Sequence, residues 1–216
     1  NGSLSNYVTI SGPSHAEEVV SNMPTAVVAA SKNIETSKIV QGLFSTNKFR
    51  VYTNEDLIGV EICGSAKNVI AIAAGFCDGF GYGDNTKSAL ITRGIKEVAR
   101  LGLKSGAKFE TFFGLAGIGD IIVTCGSIHS RNRKLGERIG RGMTLGNAVG
   151  KSHMVVEGVK SAFSIKRLSE KYEIEMPICD SVFKVLYENA DPVEEVNTLM
   201  TRNLKSESFY LSSSSD

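Results

Sequence analysis

The sequence contains no tryptophan, only four prolines and only four cysteines among 216 residues, and its charges nearly cancel. Cys63, Cys77, Cys125 and Cys179 are widely spaced and form no CxxC pair. Neither a zinc site nor a disulfide framework fits that spacing, so they are expected as reduced core thiols of a cytosolic protein. With 24 basic against 23 acidic residues the net charge is +1, which rules out a global field that would draw the chain to nucleic acid or an anionic membrane. A local cluster can still bind a small phosphate. The opening Asn1 to Asn6 is polar and runs directly into Tyr7-Val8-Thr9-Ile10, so no signal peptide is expected and the location implied is cytoplasmic. The longest apolar run, Val60 to Phe76, carries Glu61 and Lys67, which predicts a buried core helix in place of a membrane span. His15, His129 and His153 have no ligand spacing; each is expected at the surface or at a helix cap, and no metal is expected.

What is present is enough apolar material, 42%, to bury a substantial core. The first third alternates as β-α-β-α-β. Strands are predicted at Tyr7 to Ile10, Thr25 to Ala30 and Phe49 to Thr53, with one or two helical turns over His15 to Ser21. A helix over Glu35 to Ser45 places Ile39, Val40, Leu43 and Phe44 on one side. Three such strands leave edges open and one face without a partner, so they are expected to complete a sheet begun by residues absent here. From Asp56 the apolar positions recur at helical spacing, over Val60 to Phe76, Thr86 to Leu101, Phe109 to Phe113, Arg133 to Gly140, Thr144 to Val149, Val156 to Lys171, Cys179 to Tyr187 and Val193 to Thr201. Three regions follow: residues 1–55, an all-helical part over 56–205, and a disordered tail over 206–216.

Two features carry chemistry. Lys67 sits in an apolar helix with Gly64 at i−3 and Ala71 at i+4, small residues that leave room for a substrate above it. Desolvation there lowers a lysine's pKa toward neutral and suits a general acid or base; the alternative is an amine that reaches solvent or pairs with Glu61 or another carboxylate. Ser127 to Lys134 gathers hydroxyl, guanidinium and amide donors just before a helix, which suits a phosphate but equally describes a solvated basic turn capped by Ser130 or Asn132. Asp120, closing Gly117-Ile118-Gly119-Asp120, could orient Lys67, accept a substrate hydroxyl or simply cap a helix. Gly79-x-Gly81-x-Gly83 follows a helix and not a strand, so it is an interhelical loop and not a dinucleotide fingerprint.

In order and spacing, Ser11-Gly12-Pro13-Ser14-His15-Ala16, Cys63-Gly64-Ser65-Ala66-Lys67-Asn68-Val69, Gly81-Tyr82-Gly83-Asp84-Asn85-Thr86-Lys87, Gly114-Leu115-Ala116-Gly117-Ile118-Gly119-Asp120-Ile121 and Ser130-Arg131-Asn132-Arg133 resemble the bacterial-type NAD(P)-dependent glycerol-3-phosphate dehydrogenase family. The resemblance implies a mainly α fold: a helical domain like the C-terminal domain of 6-phosphogluconate dehydrogenase, preceded by a short α/β remnant of a Rossmann domain. It implies interconversion of sn-glycerol 3-phosphate and dihydroxyacetone phosphate, feeding glycerophospholipid biosynthesis, with Lys67 as the catalytic general acid and base. It places Gly12, Ser14, Lys67, Asp120, Ser130, Arg131 and Asn132 at the substrate, and Ala16, Arg131, Val155 and Glu157 beside NAD or NADP. Thr124, one turn beyond Asp120, would face the same pocket. No strand followed by GxGxxG is present, and the family's second lysine, upstream of Ser11, is absent. The chain alone is therefore expected to be inactive. A homodimer is a further expectation. Competing readings are a related β-hydroxyacid-type dehydrogenase domain and a non-catalytic helical module for dimerisation or anion binding.

Overall fold

The computed structural model describes residues 7–150, 156–204 and 206–207. The tail expected over 206–216 falls outside those residues except at 206 and 207, as do Val155 and His153.

The first part is β1 (Thr9–Ser11), α1 (Ala16–Val20), β2 (Thr25–Ala30), α2 (Ile34–Phe44) and β3 (Phe49–Asn54). The strands lie in the order β1-β2-β3, with β1 antiparallel to β2 (Thr9 opposite Ala30) and β2 parallel to β3 (Thr25 opposite Phe49). Alternation along β2 sends Val27 and Ala29 to one face, where they pack with Val51 and Val40, and Val28 and Ala30 to the other, against Leu57, Val60 and Ala116. Both faces are therefore covered, contrary to the expectation that one would lack a partner. What remains open among the described residues is the outer edge of β1 and of β3. The predicted apolar side of α2 also needs correction. Ile39, Leu43 and Phe44 are 63%, 75% and 53% exposed. The face that meets the sheet is Ser37, Val40 and Gln41, and the Gln41 amide donates to Val51 O at 2.7 Å.

The remainder is helical. α3 (Leu57–Gly79) is buried around most of its circumference because α4 (Asp84–Lys104), α5 (Asp120–Gly126), α6 (Arg131–Gly140), α8 (Glu157–Lys171) and α9 (Pro177–Tyr187) all pack on it. It is the one helix among the described residues long and apolar enough to cross a membrane, and that composition reflects its place at the centre of the helical core. α7 (Leu145–Gly150) and α10 (Pro192–Met200) complete the set, with Pro177 and Pro192 at first-turn positions as their fixed φ favours. Phe109–Phe113 is a 3₁₀ turn where an α-helix was expected. Next comes a π turn, Leu115–Gly119, broken by non-helical backbone at Gly117; it leads directly into α5. The four cysteines are free and buried, and burial pushes the Cys63 and Cys125 thiols up to about 12.

Two contacts fix α3 relative to its neighbours. At its start Asp56 is a buried cap: Oδ1 accepts the Gly59 N–H at 2.9 Å, while Oδ2 accepts from Lys108 N at 2.8 Å and Thr111 Oγ1 at 2.6 Å. One carboxylate thus ties the helix N-terminus to the 3₁₀ turn. At its far end α3 and α6 touch backbone to backbone. A Cβ on Gly75 would lie 2.0 Å from Arg133 O, one on Gly136 would lie 2.0 Å from Ile72 O, and Gly79 meets Gly140 in the same way. A glycine every fourth residue on both helices allows this approach, and it carries the start of α6 to the side of α3 that holds Lys67.

Candidate active site

Lys67 lies midway along α3, and its Nζ donates to Asp120 Oδ2 at 2.7 Å. The Asp120 side chain is 3% exposed and that of Lys67 24%, so the amine is not in the dry environment expected; it lines an open cleft. Of its two small neighbours, Ala71 is fully buried in the core, and Gly64 is the one facing the sheet, where an added Cβ would lie 3.8 Å from Ser11 Oγ. Glu61 does not pair with Lys67; it accepts from the Tyr7 hydroxyl at 2.8 Å.

Asp120 is held from three elements. Besides Lys67, its Oδ2 accepts the Gly12 N–H at 3.0 Å and the Ser11 hydroxyl at 3.2 Å, and its Oδ1 accepts from Thr124 Oγ1 at 3.2 Å. The turn after β1 can deliver that N–H because Gly12 has φ +139, and because a Cβ there would sit 3.0 Å from Val27 Cα. Ser14 closes the turn by donating to Gly12 O at 3.0 Å.

The donor cluster at the start of α6 faces the same space. Ser130 is its N-cap, accepting the Arg133 N–H at 3.2 Å, so the simple capping reading is also correct for it. Asn132 is buried and pinned on both sides. Its amide donates to Asn68 Oδ1 at 2.8 Å, and its carbonyl accepts the Gly158 N–H at 2.8 Å. Arg131 reaches Glu157 at 3.4 Å across the rim. Gly12, Ser14, Lys67, Asp120, Ser130, Arg131, Asn132 and Glu157 all line one cleft of about 150 Å³. A larger cleft of about 400 Å³, between the sheet and the 3₁₀ turn, is mostly apolar and has no cation in its wall. A phosphate therefore fits the smaller one.

Comparison with known proteins identifies the family. The family model described as NAD-dependent glycerol-3-phosphate dehydrogenase C-terminus matches residues 56–197, and the corresponding N-terminus model matches residues 2–37. The chain belongs to the NAD-dependent glycerol-3-phosphate dehydrogenase family. It is 56% identical over 203 residues to a glycerol-3-phosphate dehydrogenase [NAD(P)+] from Clostridium acetobutylicum, covering 94% of this chain and 61% of that protein. A crystal structure of glycerol-3-phosphate dehydrogenase from Coxiella burnetii superposes with a TM-score of 0.88 at 44% identity, over 90% of this chain and 60% of that one. The glycerol-3-phosphate dehydrogenase of Saccharomyces cerevisiae, at 24% identity and a TM-score of 0.78, shares the fold. The chain thus spans about three fifths of the length of the relatives it matches.

Within this dehydrogenase family member, several residues at the cleft went unremarked in the sequence. Asn68 lines it and Ser11 stands behind it, donating to Asp120; they are immediate neighbours of Lys67 and Gly12, and that adjacency was the available signal. His15 and His129, expected to be surface or capping residues, also line the cleft. His15 does occupy the N-cap position of α1, though its side chain accepts no capping hydrogen bond. Ala16 is exposed at the first turn of α1, next to His15 but outside the cleft wall. Val155 lies outside the described residues.

Proposed function

We propose that this chain is the substrate-binding and proton-transferring part of an NAD(P)-dependent glycerol-3-phosphate dehydrogenase that interconverts dihydroxyacetone phosphate and sn-glycerol 3-phosphate. Residues 56–205 form its substrate domain and residues 1–55 the end of its nucleotide domain. The observation that carries the reading is the shared cleft of Lys67, Asp120, Arg131 and Asn132.

Arg131 and the start of α6 hold the substrate phosphate, since a guanidinium and a helix N-terminus both favour a dianion. That places the three-carbon chain toward Lys67. Lys67 Nζ delivers a proton to the carbonyl oxygen as the adjacent carbon is reduced, and takes it back from the hydroxyl in the reverse direction. Asp120, fixed by Gly12, Ser11 and Thr124, keeps the amine aimed at that oxygen. Asn132, locked by Asn68 and Gly158, gives the phosphate end a rigid wall. Gly12 and Ser14 bound the site on the sheet side.

The residues at the rim fit a nicotinamide nucleotide. Arg131 and Glu157 line the cleft with side chains 41% and 61% exposed, and Ala16, exposed at the start of α1, has no side chain beyond Cβ. These groups would border one edge of the cofactor. When bound, it supplies the hydride.

The test is a fusion of this chain to the N-terminal part of the Clostridium acetobutylicum relative that it does not span. The fusion is expected to oxidise NADH with dihydroxyacetone phosphate, and the 216-residue chain alone is expected to show no turnover. Lys67→Ala in the fusion should lower kcat by about a hundredfold or more, as loss of a general acid does, while phosphate binding persists. Retained turnover in that variant would refute the role of Lys67. Binding without turnover in the unsubstituted fusion would favour the non-catalytic module, and preference for a hydroxy acid over a phosphate ester in competition would favour the β-hydroxyacid reading.

A further inference from the structure

His15 and His129 lie 114 residues apart in the chain, one in the turn before α1 and one in the loop before α6. They nevertheless meet at the cleft, with ring centroids 6.2 Å apart and planes tilted by 51°. His15 Nε2 is buried and has no hydrogen-bond partner among the described residues. Desolvating such a nitrogen without a partner is costly, and an anion in the cleft would satisfy it, most strongly when the ring carries a second proton and its positive charge. On the other ring, His129 Nδ1 lies 3.9 Å from Glu17 Oε1, a carboxylate placed to hold an imidazolium.

The charges around the pair sharpen the point. Asp120 on α5 is matched by Lys67 on α3, and Glu157 on α8 by Arg131 on α6. Glu17 on α1 feels Lys134 on α6 as well as both imidazoles, and its carboxyl is held below the usual carboxylate range, chiefly by its own backbone N–H. Lys67, Arg131 and Lys134 therefore balance Asp120, Glu157 and Glu17. A phosphate dianion brings two further negative charges into a site whose fixed charges already cancel. Imidazole is the side-chain type that can add positive charge near neutral pH, and the cleft wall holds two.

We propose that His15 and His129 form a proton-coupled clamp on the substrate's phosphate, so that dianion binding in this cleft is accompanied by proton uptake on the imidazole pair. This rests on the reading of the cleft as a phosphate site, and it adds two binding residues from separate segments. It also supplies selectivity. A carboxylate carries one negative charge and draws less on the pair, so the clamp favours a phosphate ester over a hydroxy acid. Substrate affinity should then increase toward lower pH.

Sulfate is the suitable probe, because it stays a dianion across this range and any pH dependence must come from the protein. Calorimetric titration of the 216-residue chain with sulfate, in two buffers of different ionisation enthalpy, reads affinity and proton uptake together. The expected result is about half a proton taken up per sulfate, averaged between pH 6 and 8, and, by linkage, binding about fivefold to tenfold tighter at pH 6 than at pH 8. His15→Gln and His129→Gln should each reduce the uptake and flatten the pH dependence while leaving weak binding through Arg131. Imidazole NMR titration of the unsubstituted chain provides the check that does not rely on the variants folding: sulfate should move the midpoints of two of the three histidines upward. If sulfate binds equally at both pH values with no proton uptake, and Arg131→Ala removes it, the clamp is wrong and the phosphate cleft stands. If uptake survives in both glutamine variants, the protons go elsewhere and the clamp is again wrong. If sulfate fails to bind at either pH, the clamp and the phosphate reading fall together.

Discussion

Replacing Gly136 by alanine tests the contact that brings the start of α6 to the lysine. The added Cβ would sit 2.0 Å from Ile72 O, 2.9 Å from Ile72 C and 3.0 Å from Gly75 Cα. All three atoms are backbone in the middle of α3, so no flexible side chain can yield, and the helices must separate by roughly an ångström to restore ordinary contact. Overpacking of this kind costs about 1–3 kcal/mol, and rigid backbone on both sides puts Gly136 near the upper end. Alanine recovers about 1 kcal/mol of helix propensity. The net loss of about 2 kcal/mol corresponds to a fall in Tm of about 4–8 °C for a chain of this size. Gly140→Ala should be milder, since its nearest contact, Phe76 O, is 2.8 Å away. Gly42→Ala in α2 is the control of opposite sign. Nothing lies within 4 Å of its Cβ, so it should gain about 0.5–1 kcal/mol. Thermal unfolding followed by circular dichroism measures all three. An unchanged or raised Tm for Gly136→Ala would show that α3 and α6 do not meet through backbone. In the fusion, the same displacement of Asn132 from Lys67 should lower kcat/KM by about a hundredfold, as a misplacement of roughly an ångström can.

Two other substitutions follow from buried carboxylates. Glu97 is 4% exposed and accepts the Ile178 N–H at 2.9 Å and the Cys179 N–H at 3.2 Å, capping α9, and burial pushes its carboxyl up to about 7. The folded state thus binds this proton more tightly than the unfolded chain, so the stability it contributes is complete below about pH 4.5 and is lost as pH rises through 7. Unfolding scans between pH 5 and 8 should show that decline, and Glu97→Gln should flatten it; an identical slope in the variant would exonerate Glu97. Asp56→Ala strands the Gly59 and Lys108 N–H groups and the Thr111 hydroxyl, and should reduce stability by about 2–4 kcal/mol in urea unfolding. A loss below about 0.5 kcal/mol would mean that water replaces the carboxylate, at the scale of an ordinary surface change.

The strands, the long helices and the interhelical glycine loop were legible because each is written in local periodicity. Thr25–Ala30 is predicted to the residue, and the α3 run differs from Leu57–Gly79 only at its ends. α5 was harder to see, since a seven-residue helix entered through a broken π turn shows little more than one period. The outward Ile39, Leu43 and Phe44 misled because an apolar stripe shows which residues group together, and not whether anything covers them.

Residue type and order by themselves made Lys67 and the Ser130-Arg131-Asn132 cluster candidates, since few side chains exchange protons or hold a dianion. Tertiary packing alone decided what those groups touch. Lys67 could have turned to Glu61, six residues away on its own helix, but takes Asp120, which is 53 residues distant. His15 and His129 meet only because the turn after β1 and the loop before α6 converge on the same cleft. Local sequence sets the conformation of a segment, whereas partners far apart in the chain are chosen by how whole elements pack. Here that choice is made by backbone contact at Gly75 and Gly136 and by the carboxylates of Asp56 and Asp120.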